Sequence, residues 1–307
     1  MSRSSELLVR AGPWVGEPEP GPEPVSFGVA SWRRMRRDRT AMFGLVGLAL
    51  VCLLALAAPT IAGDLLGLDP FRQRLAEQFS PPGPAHPLGA DEYGRDALAR
   101  LLYGAQVSMA LGFGVAAISL VIGVGVGLVA GYYGGWVDDL LNAVIQVKRA
   151  VPFLYLLIMI TLVVRPTLTV LLVLFGAWSW TGVARTVRGQ TLAYKRRDYV
   201  DAARALGASD GRIILRHVLP HISSIVLVEV GFVVAGSILA EAGISFLGFG
   251  IQPPTPSWGN MLSNALEYVR RAWWLVAAPG AAISFTVLCV FLLTDGLRDA
   301  LDPRLAR

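Results

Sequence analysis

The sequence is short of lysine. Only two of its 27 basic residues are lysines, Lys148 in "QVKRA" and Lys195 in "AYKRR", and neither follows a glycine. A phosphate loop needs Gly-x4-Gly-Lys-Ser/Thr, whose backbone N–H groups cradle the phosphates while the lysine reaches them. No such run occurs, which excludes nucleotide hydrolysis by this chain through that loop. Cysteine is nearly absent. Cys52 and Cys289 both fall in apolar runs without a partner at metal-site spacing, and they read as small hydrophobes. Of the three histidines, His217 and His221 are four apart, which on one helix would suit a metal. Pro220 lies between them and no third ligand is near, so no metal site is expected. No nucleophile–base pair occurs either, and nothing points to an enzyme. Charge is scarce as well: 16% of residues are charged, against roughly 25% in soluble domains.

What fills the chain instead is apolar. Of the 307 residues 54% are hydrophobic, and the mean hydropathy is +0.55. This is the composition of a polytopic membrane protein. The net charge of +5 comes from arginine, and in such a chain it reads as a topology signal rather than a nucleic-acid patch. Residues 1–31, rich in Pro, Gly and Glu, predict a disordered tail, and residues 32–307 one transmembrane domain. Six spans are expected over about 41–62, 105–130, 137–163, 167–184, 221–243 and 274–296. The first holds 22 residues without a charge, enough to cross about 30 Å of hydrocarbon. Basic residues followed by this run and "ALAA" also resemble a secretory signal, but the run is longer than a signal core and more spans follow. The second is dense in Gly, Ala and Ser, as close helix packing in lipid prefers. The third joins an amphipathic half to an apolar half, with a kink expected at Pro152.

Lysine and arginine counts set the orientation. With the amino terminus inside, the inner stretches 33–39, 185–220 and 297–307 hold sixteen and the outer segments seven. Both termini are then cytoplasmic, as is the long polar connection 185–220. Within it, "DYVDAARALGASDGRIILRHVLP" (198–220) is helix-prone. Val200, Ala203 and Leu206 follow at i, i+3 spacing and predict an apolar ridge. Gly207 stops the first helix, Ser209-Asp210 caps a second, and Pro220 ends it near the membrane. From physics alone two readings stay open: a basic amphipathic element on anionic headgroups, or a knob that docks in a partner's groove.

Asp201-Ala202-Ala203, then Gly207, then Leu219-Pro220 resembles the "EAA" loop of ABC-importer membrane subunits, with Asp201 in place of Glu and His217 in place of the usual Ile. "HPLGADEYGRDALARLLYGAQVSM" (86–109), "ARTVRGQTLAYKRRDYVDAARALGAS" (184–209), "ILAEAGISFLGFGIQPPTPSWGNML" (238–262) and "DGLRDALDPRL" (295–305) resemble the second, C-type permease of the dipeptide/oligopeptide/nickel branch. Where relatives usually carry an acidic residue and an apolar segment before the span-three proline, this chain has Gln146, Lys148 and Arg149. The resemblance implies an all-α type I importer permease with a cytoplasmic coupling loop, in a bacterial or archaeal cytoplasmic membrane. It implies a homologous second permease, two cytosolic ATPases holding ATP and Mg, and an extracytoplasmic solute-binding protein. This chain itself would bind no cofactor and no nucleic acid; membrane lipid would surround it. The residues expected to couple to the ATPase are Val200, Asp201, Ala202, Ala203, Leu206, Gly207, Leu219 and Pro220. The implied cargo is a short peptide, with nickel chelates or oligosaccharides as alternatives. A stand-alone secondary transporter is the rival class, but it would need an inverted repeat and broken helices.

Four residues are candidates for the translocation path. Glu229 is an ionisable group inside span five, where it would face a cavity or a partner. Glu241, near the end of that span, would line the path or brace an outer gate. Trp178 and Trp180 read as interfacial anchors or as path lining, and Trp273 and Trp274 as anchors. Asp138 and Asp139 read as helix-start charges. Residues 245–259, broken by Pro and Gly, lie outside, where a binding protein would dock and an outer gate would sit.

Overall fold

The computed structural model describes residues 27–301. Most of them are helical, and among the described residues the only strand-like pairing is an isolated bridge between Ala90 and Asp96. Among the described residues five helices are long and apolar enough to cross a membrane, and a bent pair makes a sixth passage if it counts as one span.

α1 (Phe27–Arg37) and α2 (Arg39–Leu56) are separated by Asp38, whose Oδ1 accepts the backbone N–H groups of Thr40 and Ala41 at 2.8 and 3.2 Å. This is an N-cap, and it restarts the helix at the first span. The expected tail lies outside the described residues for 1–26, whereas 27–31 already belong to α1. Met35 of α1 is buried against Ala41 and Ala300, so the segment is held by packing that its composition did not advertise. A wide helical turn, Pro59–Leu65, follows α2.

α3 (Ala97–Tyr133) has 37 residues, longer than the expected 105–130. Asp96 caps it by accepting the Ala99 N–H at 2.9 Å, and the charged first turns continue the helix. α4 (Gly135–Ala150) and α5 (Phe153–Val163) meet at 71°. The kink expected at Pro152 is therefore a break. The proline pushes Val151 into extended backbone and caps a new helix.

α6 (Leu168–Tyr194) runs ten residues past its expected end. α7 (Asp198–Ala205) and α8 (Asp210–Ile213) form the polar connection. A wide turn, Ile214–Val218, then leads into α9 (Leu219–Phe246). Pro220 does not end a helix. It sits in the first turn of α9, where its missing N–H costs nothing. α10 (Ala265–Tyr268) is one turn, and α11 (Trp274–Leu301) is the last span.

α3 is the central column. It packs most extensively on α6 and also on α9 and α2, while α11 closes the bundle against α2 and α9. The α3–α6 seam is made by Gly123, Gly127 and Gly131, four residues apart. A methyl on Gly127 would stand 2.6 Å from the Ala184 carbonyl oxygen, and one on Gly131 2.6 Å from Thr191 Cβ. Without lipid-excluding apolar contacts to drive association, such close backbone approach is what binds helices in a bilayer.

Candidate functional site

The bundle has two different ends. The loop end carries α7 and α8; the cap end carries residues 57–96 and 247–273. At the loop end only three residues, 195–197, separate α6 from α7. Gly207, with φ +80°, turns the chain between α7 and α8, a conformation glycine adopts without strain. Ser209 occupies the N-cap position of α8, but its side chain makes no capping bond. What fixes α8 instead is a bond from another helix: the Tyr132 hydroxyl of α3 donates to Asp210 Oδ1 at 2.7 Å. Lys195 Nζ donates to the Tyr132 carbonyl at 3.0 Å. Burial holds the Lys195 ammonium below the ordinary lysine pKa, helped by Arg196 and opposed by Asp138.

Val200 is fully buried in a cluster with Val187, Ile213, Val218 and Ile222, with Ala203 and Leu219 packed against it. Leu206 is 89% exposed. Val200, Ala203 and Leu206 are therefore not one outward ridge. Each i+3 step falls about 60° short of a full turn, so Leu206 is displaced about 120° from Val200; it also lies beyond the last turn of α7. Val200 anchors the loop to α3, α6 and α9, while Asp201, Ala202, Leu206, Gly207 and Pro220 stay exposed. Asp201 pairs with Arg204 at 2.9 Å, with both side chains open to solvent. Asp138, in the first turn of α4, also forms a two-pronged pair with Arg188 of α6 at 2.5 and 2.6 Å. The sequence reading missed this pair because the partners are 50 positions apart.

Between the ends, α5, α6 and α9 enclose a cleft of about 230 Å³ lined by Phe153, Phe175, Trp178, Phe232, Gly236 and Ala240. Trp178 is thus at the cleft, its ring tilted against that of Phe153 with centroids 5.1 Å apart. Glu229 lies on the same face of α9, half-buried, and makes no hydrogen bond or ion pair among the described residues. Glu241 does not line this cleft. It is 1% exposed, and its Oε1 accepts from the hydroxyls of Ser245 and Ser257 at 2.7 and 2.8 Å. It ties α9 to the cap-end loop, in which Trp258 is buried and donates through Nε1 to the Leu101 carbonyl at 3.0 Å. Trp273 is exposed, as an anchor should be, but Trp274 is buried beneath the cap beside Ala97 and Leu275.

The cap end is dense in ion pairs. Asp91 meets Arg95 at 2.7 Å and Arg100 at 3.4 Å, all three buried. His86 Nδ1 lies 2.8 Å from Asp96 and Nε2 2.9 Å from Glu77. Burial disfavours its charge, but the hydrogen bonds to Asp96 and Glu77 outweigh burial, and the pKa ends above the ordinary imidazole value. Among the described residues no cluster of His, Cys, Asp or Glu is built to hold a metal.

Known sequences match most of the chain. Residues 123–307 match the family model described as the inner membrane component of binding-protein-dependent transport systems. Residues 26–82 match the N-terminal TM domain of oligopeptide transport permease C. A Brucella abortus protein named as a peptide transport system permease is 42% identical over 94% of this chain and 95% of its own length. The dipeptide transport system permease DppC of Bacillus subtilis is 38% identical over 92% of this chain and 88% of its own. The oligopeptide transport system permease OppC of Mycobacterium bovis is 37% identical over 88% and 92%. A helical bundle of this length, with a braced polar loop between two of its columns, belongs to the binding-protein-dependent transport system inner membrane component family: it is a multi-pass membrane permease subunit.

Proposed function

We propose that this permease forms half of the translocation path of an ATP-driven importer of short peptides. Its partners are a homologous second permease, two cytosolic ATPases that hold ATP and Mg, and an extracytoplasmic solute-binding protein. The loop end faces the cytoplasm with both termini, in a bacterial or archaeal cytoplasmic membrane, consistent with the arginine distribution. The peptide cargo is supported by the names of the relatives, which act on dipeptides or oligopeptides.

The observation that carries the coupling role is the mounting of the α7–Gly207–α8 unit. Val200 and the Tyr132–Asp210 bond fix it to the transmembrane columns, while Leu206 stands in solvent with nothing over it. A rigid mount with an unpartnered apolar tip suits a helix-in-groove contact with an ATPase. Movement of that ATPase is then delivered to α6 and α9, which border the cleft at Trp178 and Phe232. Glu241 braces the outer gate by holding the 245–259 segment on α9.

Gly207→Val tests the coupling. A Cβ at Gly207 meets nothing within 4 Å, so the substitution acts through backbone strain at positive φ, of about 1–3 kcal/mol. In the reconstituted complex, peptide-stimulated ATP hydrolysis and uptake should fall together. Uptake at the wild-type rate would sink the coupling role.

A further inference from the structure

Lys148 is half-buried at the end of α4, beside the break, and its surroundings are specific. Nζ donates to the carbonyls of Ala177 and, at 3.0 Å, Trp178 on α6. It also stands over the rings of Trp178 and Trp180, 5.1 and 4.5 Å from their centroids. An ammonium among apolar columns is expensive unless dipoles and π-faces surround it. Two of its three N–H groups are used on carbonyls, which leaves one donor and most of a positive charge beside the Trp178 wall of the cleft.

Glu229 is the opposite case. It shares its face of α9 with Phe232, Val233, Gly236 and Ala240, at i+3, i+4, i+7 and i+11, and all four line the cleft. No cation of the described chain meets it, and no ion pair joins it to Lys148. These lining positions follow Glu229 by three to eleven residues, about 5–16 Å of helix rise, so it lies on the loop-end side of the cleft that Trp178, the ring beneath Lys148, also lines. An extended chain of two or three residues spans about 7–10 Å.

We propose that Lys148 and Glu229 are the two poles of a transit site for zwitterionic short peptides, Lys148 receiving the terminal carboxylate and Glu229 the terminal amine. This rests on the peptide-permease reading above. Each pole is a charge-assisted hydrogen bond in a site with little water, where such bonds are strong. The site would orient a passing peptide amine-first toward the loop end.

The test uses the nucleotide-free complex without binding protein, so that the binding protein's own selectivity does not enter. It is photolabelled with a dipeptide carrying a photoreactive side chain, with the C-terminal amide of that dipeptide, and with its N-acetyl form. Both blocked forms should label the α6 and α9 walls about tenfold less than the free dipeptide, the worth of one charged hydrogen bond. Lys148→Gln should remove the penalty for the amide only, and Glu229→Gln that for the acetyl form only. If Lys148 is merely a strut between α4 and α6, Lys148→Gln lowers all three labels alike, and the proposal falls. Pairing of Glu229 with a cation of the second permease would leave acetylation without effect, which also overturns it. ATP-driven uptake of the free dipeptide by the wild-type complex is measured alongside. Absent uptake sinks the peptide reading itself; uptake with labelling indifferent to both termini sinks the two-pole site alone.

Discussion

Arg95 at the cap end and Arg204 at the loop end each pair with an aspartate a few positions away, at 2.7 and 2.9 Å. The distances match, but the side chains do not share an environment: Arg95 is 5% exposed and Arg204 52%. An exposed pair of this kind contributes about 0–1 kcal/mol and is screened by salt. A buried one cannot lose a partner without stranding a charge. The cap end is thus a finished structure, with its buried charges, His86 and Trp258 consumed internally. The loop end is finished only on its inward side, and it keeps Leu206, Asp201 and Arg204 for something else to meet.

The sharpest way to break this contrast is Asp91→Asn. It leaves Arg95 and Arg100 buried without their shared carboxylate and should destabilise the purified protein by about 3 kcal/mol or more, read as a drop in thermal midpoint. A loss no larger than that for Asp201→Asn would erase the distinction between the ends. Next is His86, a clasp between Glu77 and the cap of α3. Its folded pKa lies above its unfolded value of about 6.5, so its contribution is complete below that pH and is lost as pH rises through the folded pKa. Stability at the cap end should therefore fall on alkalinisation, and His86→Gln should flatten that fall at a cost of about 1–2 kcal/mol at low pH. A pH profile unchanged by His86→Gln would remove the clasp. The smallest effect on folding is expected for Leu206→Asp, within about 0.5 kcal/mol because the side chain touches little. Uptake by the assembled complex should still drop about tenfold, as for an apolar anchor lost from an interface. Equal effects on folding and uptake would make Leu206 an ordinary structural residue.

The sequence disclosed the columns well, because uninterrupted apolar runs have no other stable place to go. It disclosed their ends poorly. Arg188 and Arg100 look like loop residues, yet they sit inside α6 and α3, each held by an aspartate from another element. Pro152 was legible as a disturbance but not as a 71° break, since the angle is set by what α4 and α5 pack against. Val200 and Leu206 were assigned one side by spacing, and a partner buried from three helices decided otherwise. Trp258, whose backbone N–H meets Ser108 from 150 positions away, is the extreme case. No local pattern encodes which column becomes a neighbour. Glu229 and Trp178 stood out for their chemistry, whereas Lys148 looked only like a departure until α6 was seen beside it.

The three-residue join between α6 and α7, and the helical run without a gap from Asp210 to Phe246, leave this region no spare chain. Its fold tolerates exchange of exposed side chains such as Leu206, but not a change of length. One residue inserted at 195–197 displaces α7 on its short join and draws Val200 out of its pocket. The same insertion among the exposed residues around Gly83, where a Cβ would meet little, is absorbed by the loop. Homologous permeases could differ freely in what this loop displays to an ATPase, while being held to a common ruler for where they display it.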